Sequence, residues 1–207
     1  MTDFLLKTVH ADGAAWGGFR WPLDEGAEVI APDWDPTPVC GGGLHGLLNG
    51  AGNGSLIDWS TDAVWIVAEI PDGETVVDLD GNVKVRRCIV RHVGDKTSAP
   101  EFLAAHGHTE GVVAGTATAG DGGTATAGDD GTATAGDGGT ATAGVDGTAT
   151  AGDGGTATAG DGGTIILAWW DYDLGRRRWV VGEVGIDGIV ADTPYRVVDG
   201  AFVEVES

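Results

Sequence analysis

The chain has 207 residues, with 32 acidic and 11 basic side chains for a formal net charge of −21, and it carries 38 glycines, 8 tryptophans, 2 cysteines and one methionine. A sequence pI near 4.2 argues against binding nucleic acid by neutralising phosphates, because an acidic surface repels the phosphate backbone. Two cysteines cannot build a disulfide scaffold, no run approaches the ~18 apolar residues of a membrane span, and Met1 to Gly13 lacks the basic and apolar regions of a signal peptide. The expectation is a soluble protein made in the cytoplasm, with no nucleic acid and no membrane span among its partners.

Residues 1 to 108 carry 7 basic and 16 acidic groups and read as an α+β globular domain. Alternating β-formers predict strands over Phe4 to Val9, Glu28 to Ala31, Ala63 to Ile70, Thr75 to Leu79 and Val83 to Val93. Asp80-Gly81-Asn82 is the expected hairpin turn between the last two. Ser98-Ala99-Pro100-Glu101 predicts a helix start capped by the serine. Trp16, Trp21, Trp34, Trp59 and Trp65 are the expected aromatic mass of the core.

The segment Cys40-Gly41-Gly42-Gly43-Leu44-His45 places a thiol five positions from an imidazole across three glycines, a spacing open to a nucleophile and base pair or a metal half-site. Cysteine as a small hydrophobe and triple glycine as a close-packed turn are the structural alternative. Cys88 and His92 form a second such pair. On a regular strand they point the same way about 13 Å apart, too far to share one zinc ion. The Cys40 segment, with Gly17-Gly18-Phe19-Arg20 and the run Asp78 to Lys84, resembles a bacterial and phage domain family without an established function, and that resemblance implies no chemistry.

From Gly115 to Gly162 the sequence is six octads, GTATAGDG with small variations, over 48 residues that include 16 Gly, 12 Thr, 12 Ala and 7 Asp. Thr-Ala-Thr-Ala alternates with the period of a strand, which sets threonines on one face and alanines on the other. Asp-Gly marks a tight turn. Two octads then close a sixteen-residue coil, and residues 109 to 163 read as a β-solenoid of three coils. Its alanine interior offers little apolar surface, so the repeat needs caps, with Val112-Val113 before it and Ile165-Ile166-Leu167 and Trp169-Trp170 after it. A flexible linker is the alternative for such a composition.

These octads resemble the repeats of bacterial ice-nucleation proteins. In that family the outward threonines imply a water-ordering surface, which carries over here to Thr116, Thr118, Thr124, Thr126, Thr132, Thr134, Thr140, Thr142, Thr148, Thr150, Thr156 and Thr158. This chain departs from the family in having three coils instead of dozens, no turn tyrosine, and aspartate in the turns. Threonine as a soluble β-former is the plainer account of those positions. The turn acids Asp121, Asp129, Asp130, Asp137, Asp146, Asp153 and Asp161 admit calcium as the only cofactor to weigh, but nonapeptide calcium rolls supply more ligands per turn, and turn chemistry explains the acids better.

Residues 164 to 207 read as a β-strand cap, with strands over Thr164 to Trp170, Arg177 to Val184, Tyr195 to Val198 and Ala201 to Val205, the last two joined at Asp199-Gly200. Arg176-Arg177-Arg178 reads as an anchor for an acidic partner or as charge that protects a sheet edge. The fold class expected is mainly β (α+β), and the main functional reading is a non-enzymatic structural protein in a homo-oligomer or a larger bacterial or phage assembly, at a virion or external surface in the latter case. The alternatives are an ice-nucleation-like water-organising protein and an enzyme using Cys40 and His45.

Overall fold

The computed structural model describes residues 1–186 and 188–205. It divides into two compact units, Met1–His108 and Thr109–Ser207.

In the first unit, β1 (Phe4–Val9), β2 (Glu28–Ile30), β3 (Leu44–Leu48), β4 (Val64–Glu69), β5 (Val76–Asp78), β6 (Val83–Val85) and β7 (Arg87–Gly94) form one sheet in the order β2-β7-β4-β1-β3-β6-β5. Every pairing in it is antiparallel. The curled sheet encloses a core of Leu5, Val9, Trp21, Leu44, Ile66, Val85 and Cys88. The helix α1 (Ser98–Ala105) packs Ala99 and Leu103 against the sheet through β4 and β7.

Four expectations change here. The strand expected over Val83 to Val93 breaks at Arg86, and its halves pair on opposite flanks of the sheet, β6 with β3 and β5, β7 with β2 and β4. β3 is absent from the predicted strands, and Gly46 allows it, since a Cβ there would sit 2.4 Å from the Leu6 carbonyl oxygen of the neighbouring strand. The helix is capped by Asp95, whose carboxylate accepts from the Thr97 and Ser98 amides, while the Ser98 hydroxyl accepts from the Asp95 amide. Of the five tryptophans expected inside, Trp21 and Trp65 are buried, while Trp16 is 100% exposed.

The second unit holds β8 (Thr116–Thr118), β9 (Thr124–Thr126), β10 (Thr132–Ala135), β11 (Thr140–Ala143), β12 (Thr148–Ala151) and β13 (Thr156–Ala159). Even and odd strands form two parallel sheets in which each residue stacks on the one sixteen positions on: Thr132 on Thr116, Thr140 on Thr124, Thr148 on Thr132, Thr156 on Thr140. The six octads therefore coil two per turn within one chain. Alanines such as Ala133, Ala141, Ala149 and Ala157 fill the interior.

The strand β14 (Thr164–Asp171) continues the first sheet in parallel, setting Ile165 over Ala149 and Leu167 over Ala151. β15 (Arg176–Glu183) folds back on it, and β16 (Tyr195–Val198) with β17 (Ala201–Glu204) closes the second sheet against β13. Ile165, Leu167, Val184, Ile189 and Tyr195 join the alanine core at this end, and Val112 and Val113 are buried before the first coil. Trp169 and Trp170 are not part of that core. Trp169 lies beside Gly200 and Arg178, and Trp170 is 41% exposed. No described helix is long and apolar enough to cross a membrane.

Candidate functional site

Strand alternation turns every threonine of the octads outward while the alanines close the core. One face carries Thr116, Thr118, Thr132, Thr134, Thr148 and Thr150 on β8, β10 and β12. The other carries Thr124, Thr126, Thr140, Thr142, Thr156 and Thr158 on β9, β11 and β13. Threonines two apart on a strand lie ~6.7 Å from each other, and those on neighbouring coils ~4.8 Å. Each face is thus a regular grid of hydroxyl and methyl groups. The first face gains a row that the octad count misses, Thr164 in register with Thr148. The signal was present, because Gly163-Thr164 begins like every octad.

The turn aspartates do more than shape their own turns. Asp121 Oδ1 accepts the Asp137 amide at 3.0 Å, Asp137 Oδ1 the Asp153 amide at 2.9 Å, and Asp153 Oδ1 the Trp170 amide at 3.2 Å. On the opposite edge Asp129 Oδ1 accepts from Val145 at 2.9 Å. Each of these four carboxylates therefore binds the next storey of the stack, beyond the turn that the sequence assigns to it. Charge-assisted bonds of this kind outweigh the weak repulsion between neighbouring exposed acids. Asp130 and Asp146 instead fill the left-handed turn position, at φ 54° each, where the other octads place glycine. Among the described residues no three His, Cys, Asp or Glu side chains converge to hold a metal ion.

The arginine cluster is used mainly within the chain. Arg177 pairs with Asp137, Arg178 lies 3.2 Å from Asp171 and over the Trp169 ring, and β15 is the last strand of its sheet. The Leu174 amide, then Arg178, holds the Asp171 carboxyl below the usual range. Asp137→Ala, which removes both the inter-coil acceptor and the Arg177 partner, is expected to cost about 1–3 kcal/mol in urea unfolding. Asp137→Asn, which keeps an acceptor oxygen, should fall between that variant and the wild type.

The two cysteine and histidine pairs are placed differently from a reactive site. Cys40 is exposed, and both His45 nitrogens face its own loop: Nε2 accepts the Gly41 amide at 3.3 Å and Nδ1–H donates to the Gly43 carbonyl at 3.1 Å. Neither nitrogen is left to take a proton from the thiol. Lys84, completely buried, donates from Nζ to the Val39 and Gly41 carbonyls at 2.8 Å each and so fastens this loop from below. A β-bulge in the β4 and β7 pairing changes the alternation, so Cys88 and Val90 face the core while His92 stacks on Phe102 and meets the Ser98 hydroxyl at 3.0 Å. Burial pushes the Cys88 thiol up to about 12.

Fold and surface together define a short, capped β-solenoid whose outward columns are threonine. The chain is similar to bacterial ice nucleation proteins. It is 37% identical over 103 residues to one of Pantoea ananas, in a match covering 49% of this chain and 10% of that protein. It is 35% identical over 102 residues to one of Pseudomonas syringae (49% and 9%) and 39% identical over 102 residues to one of Xanthomonas campestris pv. translucens (49% and 6%). The chain spans a tenth or less of the length of these curated relatives. No family model and no solved structure matches.

Proposed function

We propose that the chain is an ice-nucleation-like, non-enzymatic protein that orders water on its threonine faces. The observation that carries this reading is the register. Identical threonines repeat coil over coil on a straight parallel ladder, so hydroxyls recur at fixed spacings in two directions instead of being scattered as on an ordinary solvent-facing strand. The similarity to ice nucleation proteins supports the same reading.

Size sets the scale of the effect. Three coils span only ~10 Å between the first and third rows, so one molecule offers a small patch, and assembly of several copies would enlarge it. A homo-oligomer or a larger array is therefore part of the proposal, checked by light scattering coupled to size exclusion.

The deciding experiment is freezing of supercooled droplets, with ice recrystallisation as a second readout. Wild-type protein is expected to act in at least one assay. Thr132→Lys with Thr134→Lys, in the middle row of one face, should abolish that activity while leaving the fold unchanged by circular dichroism. Thr140→Lys with Thr142→Lys tests the other face. Undiminished activity in both double variants removes the idea.

A further inference from the structure

We infer that the cavity of the N-terminal unit binds a small organic anion with an aromatic body, with Lys7 supplying the cation and Trp16 the exposed aromatic wall. The cavity has a volume of about 760 Å³ and is lined by Lys7, Trp16, Phe19, Trp21, Cys40 and His45, among others. That volume lies within the usual range of small-molecule sites, and aromatic walls with a few polar groups are their usual lining.

The charged side chains that line the cavity are Lys7 and Asp33, so Lys7 is its one cation: His45 is spent on its own loop, and Lys84, behind the lining, on two carbonyls. Lys7, by contrast, has no hydrogen-bond or ion-pair partner among the described residues. It sits mid-strand in β1 between residues that are nearly inaccessible, Leu6 and Thr8, where an aliphatic side chain would incur no desolvation cost. Burial lowers its pKa, and its charge reaches His45, whose own pKa is lowered first by burial and then by Lys84 and Lys7. A partly desolvated ammonium facing an open cavity gains most from an anion.

Trp16 gives the second half of the ligand. It stands fully exposed in a turn whose glycines, Gly17 and Gly18, have φ of 84° and 82°. Tryptophan is highly buried on average, and a planar ring stacked on this indole would cover surface that otherwise faces water. A carboxylate or sulfonate joined to an aromatic ring satisfies both features.

The test uses the full chain and 8-anilinonaphthalene-1-sulfonate, with N-phenyl-1-naphthylamine as the matched body lacking the anion. The sulfonate should bind one to one, and Lys7→Met should weaken it at least about tenfold, the scale of one charge-assisted bond. Lys7→Arg should retain most of the affinity, and Trp16→Ala should weaken both probes. Unchanged sulfonate affinity in Lys7→Met, or equal affinity for the neutral amine, overturns the assignment. An NMR titration of His45 adds a readout independent of affinity. Lys7→Met should raise its pKa by removing a nearby positive charge, and bound sulfonate should raise it in the wild type. A His45 titration that the sulfonate leaves unmoved also overturns the assignment.

Discussion

Gly152→Ala is expected to destabilise the solenoid by about 3 kcal/mol or more, and denaturant unfolding of the second unit measures it. A Cβ at this position would lie 2.2 Å from Asp137 Oδ1, 2.6 Å from the Asp137 amide nitrogen and 2.7 Å from the Gly136 carbonyl carbon. Two of those atoms are backbone of the coil below, so relief requires the coils to part. Gly136 and Gly144 meet the same kind of contact, at 2.3 Å and 2.2 Å from the Asp121 and Asp129 carboxylates. Two positions on, Gly154 has open space around its missing side chain but a φ of +69°. There Asp is the natural alternative, as Asp130 and Asp146 show, and Gly154→Asp should cost no more than about 1 kcal/mol. Equal losses at Gly152 and Gly154 would mean that conformation, and not the fit between coils, sets the glycine requirement.

Leu167→Ala is expected to cost about 3 kcal/mol and to lower the unfolding midpoint of the repeat together with that of the cap. Leu167 is fully buried, in register over Ala151 at the end of the alanine core. The interior of the coils consists of methyl groups, whereas the large apolar side chains of this core, Ile165, Leu167, Ile189 and Tyr195, stand at the C-terminal end. Deleting side-chain volume at that end removes the packing that the coils cannot supply for themselves. Amide exchange read residue by residue should show Ala149 and Ala151 losing protection in the variant, because coil stability is a sum over neighbours. Protection unchanged in the coils would show that the repeat holds itself.

The repeat was legible because its chemistry is local and periodic. Thr-Ala alternation fixes which side faces inward, and a fixed turn every eight residues fixes the coil, so strand positions and the sixteen-residue stacking follow from the sequence. What the octad could not disclose is where its carboxylate goes. Asp121 and Asp137 are sixteen residues apart, and their bond appears only once the coils are stacked. In the N-terminal unit the hidden features were likewise non-local. The break at Arg86 depends on β6 and β7 finding separate partners, and the opposite facing of Cys88 and His92 depends on a bulge against β4. Lys84 reads as an ordinary charged residue on an alternating strand, and only the crossing of the Val39 to Gly41 backbone gives its ammonium a buried role.

The aspartate ladder fixes an arithmetic for the length of the array. Its upper end is the Trp170 amide on Asp153, and Arg177 reaches back to Asp137 on the same edge, so the cap recognises one edge and one sheet. Duplication of sixteen residues presents the cap with an identical edge one storey higher. Duplication of the last octad alone sets β14 on the other sheet, with the Trp170 amide over Asp161 and Arg177 facing Val145 in place of Asp137. What the cap requires is thus the identity of the octads just beneath it: added pairs keep both of its bonds, whereas one extra final octad keeps the acceptor of the Trp170 amide and exchanges the partner of Arg177 for valine.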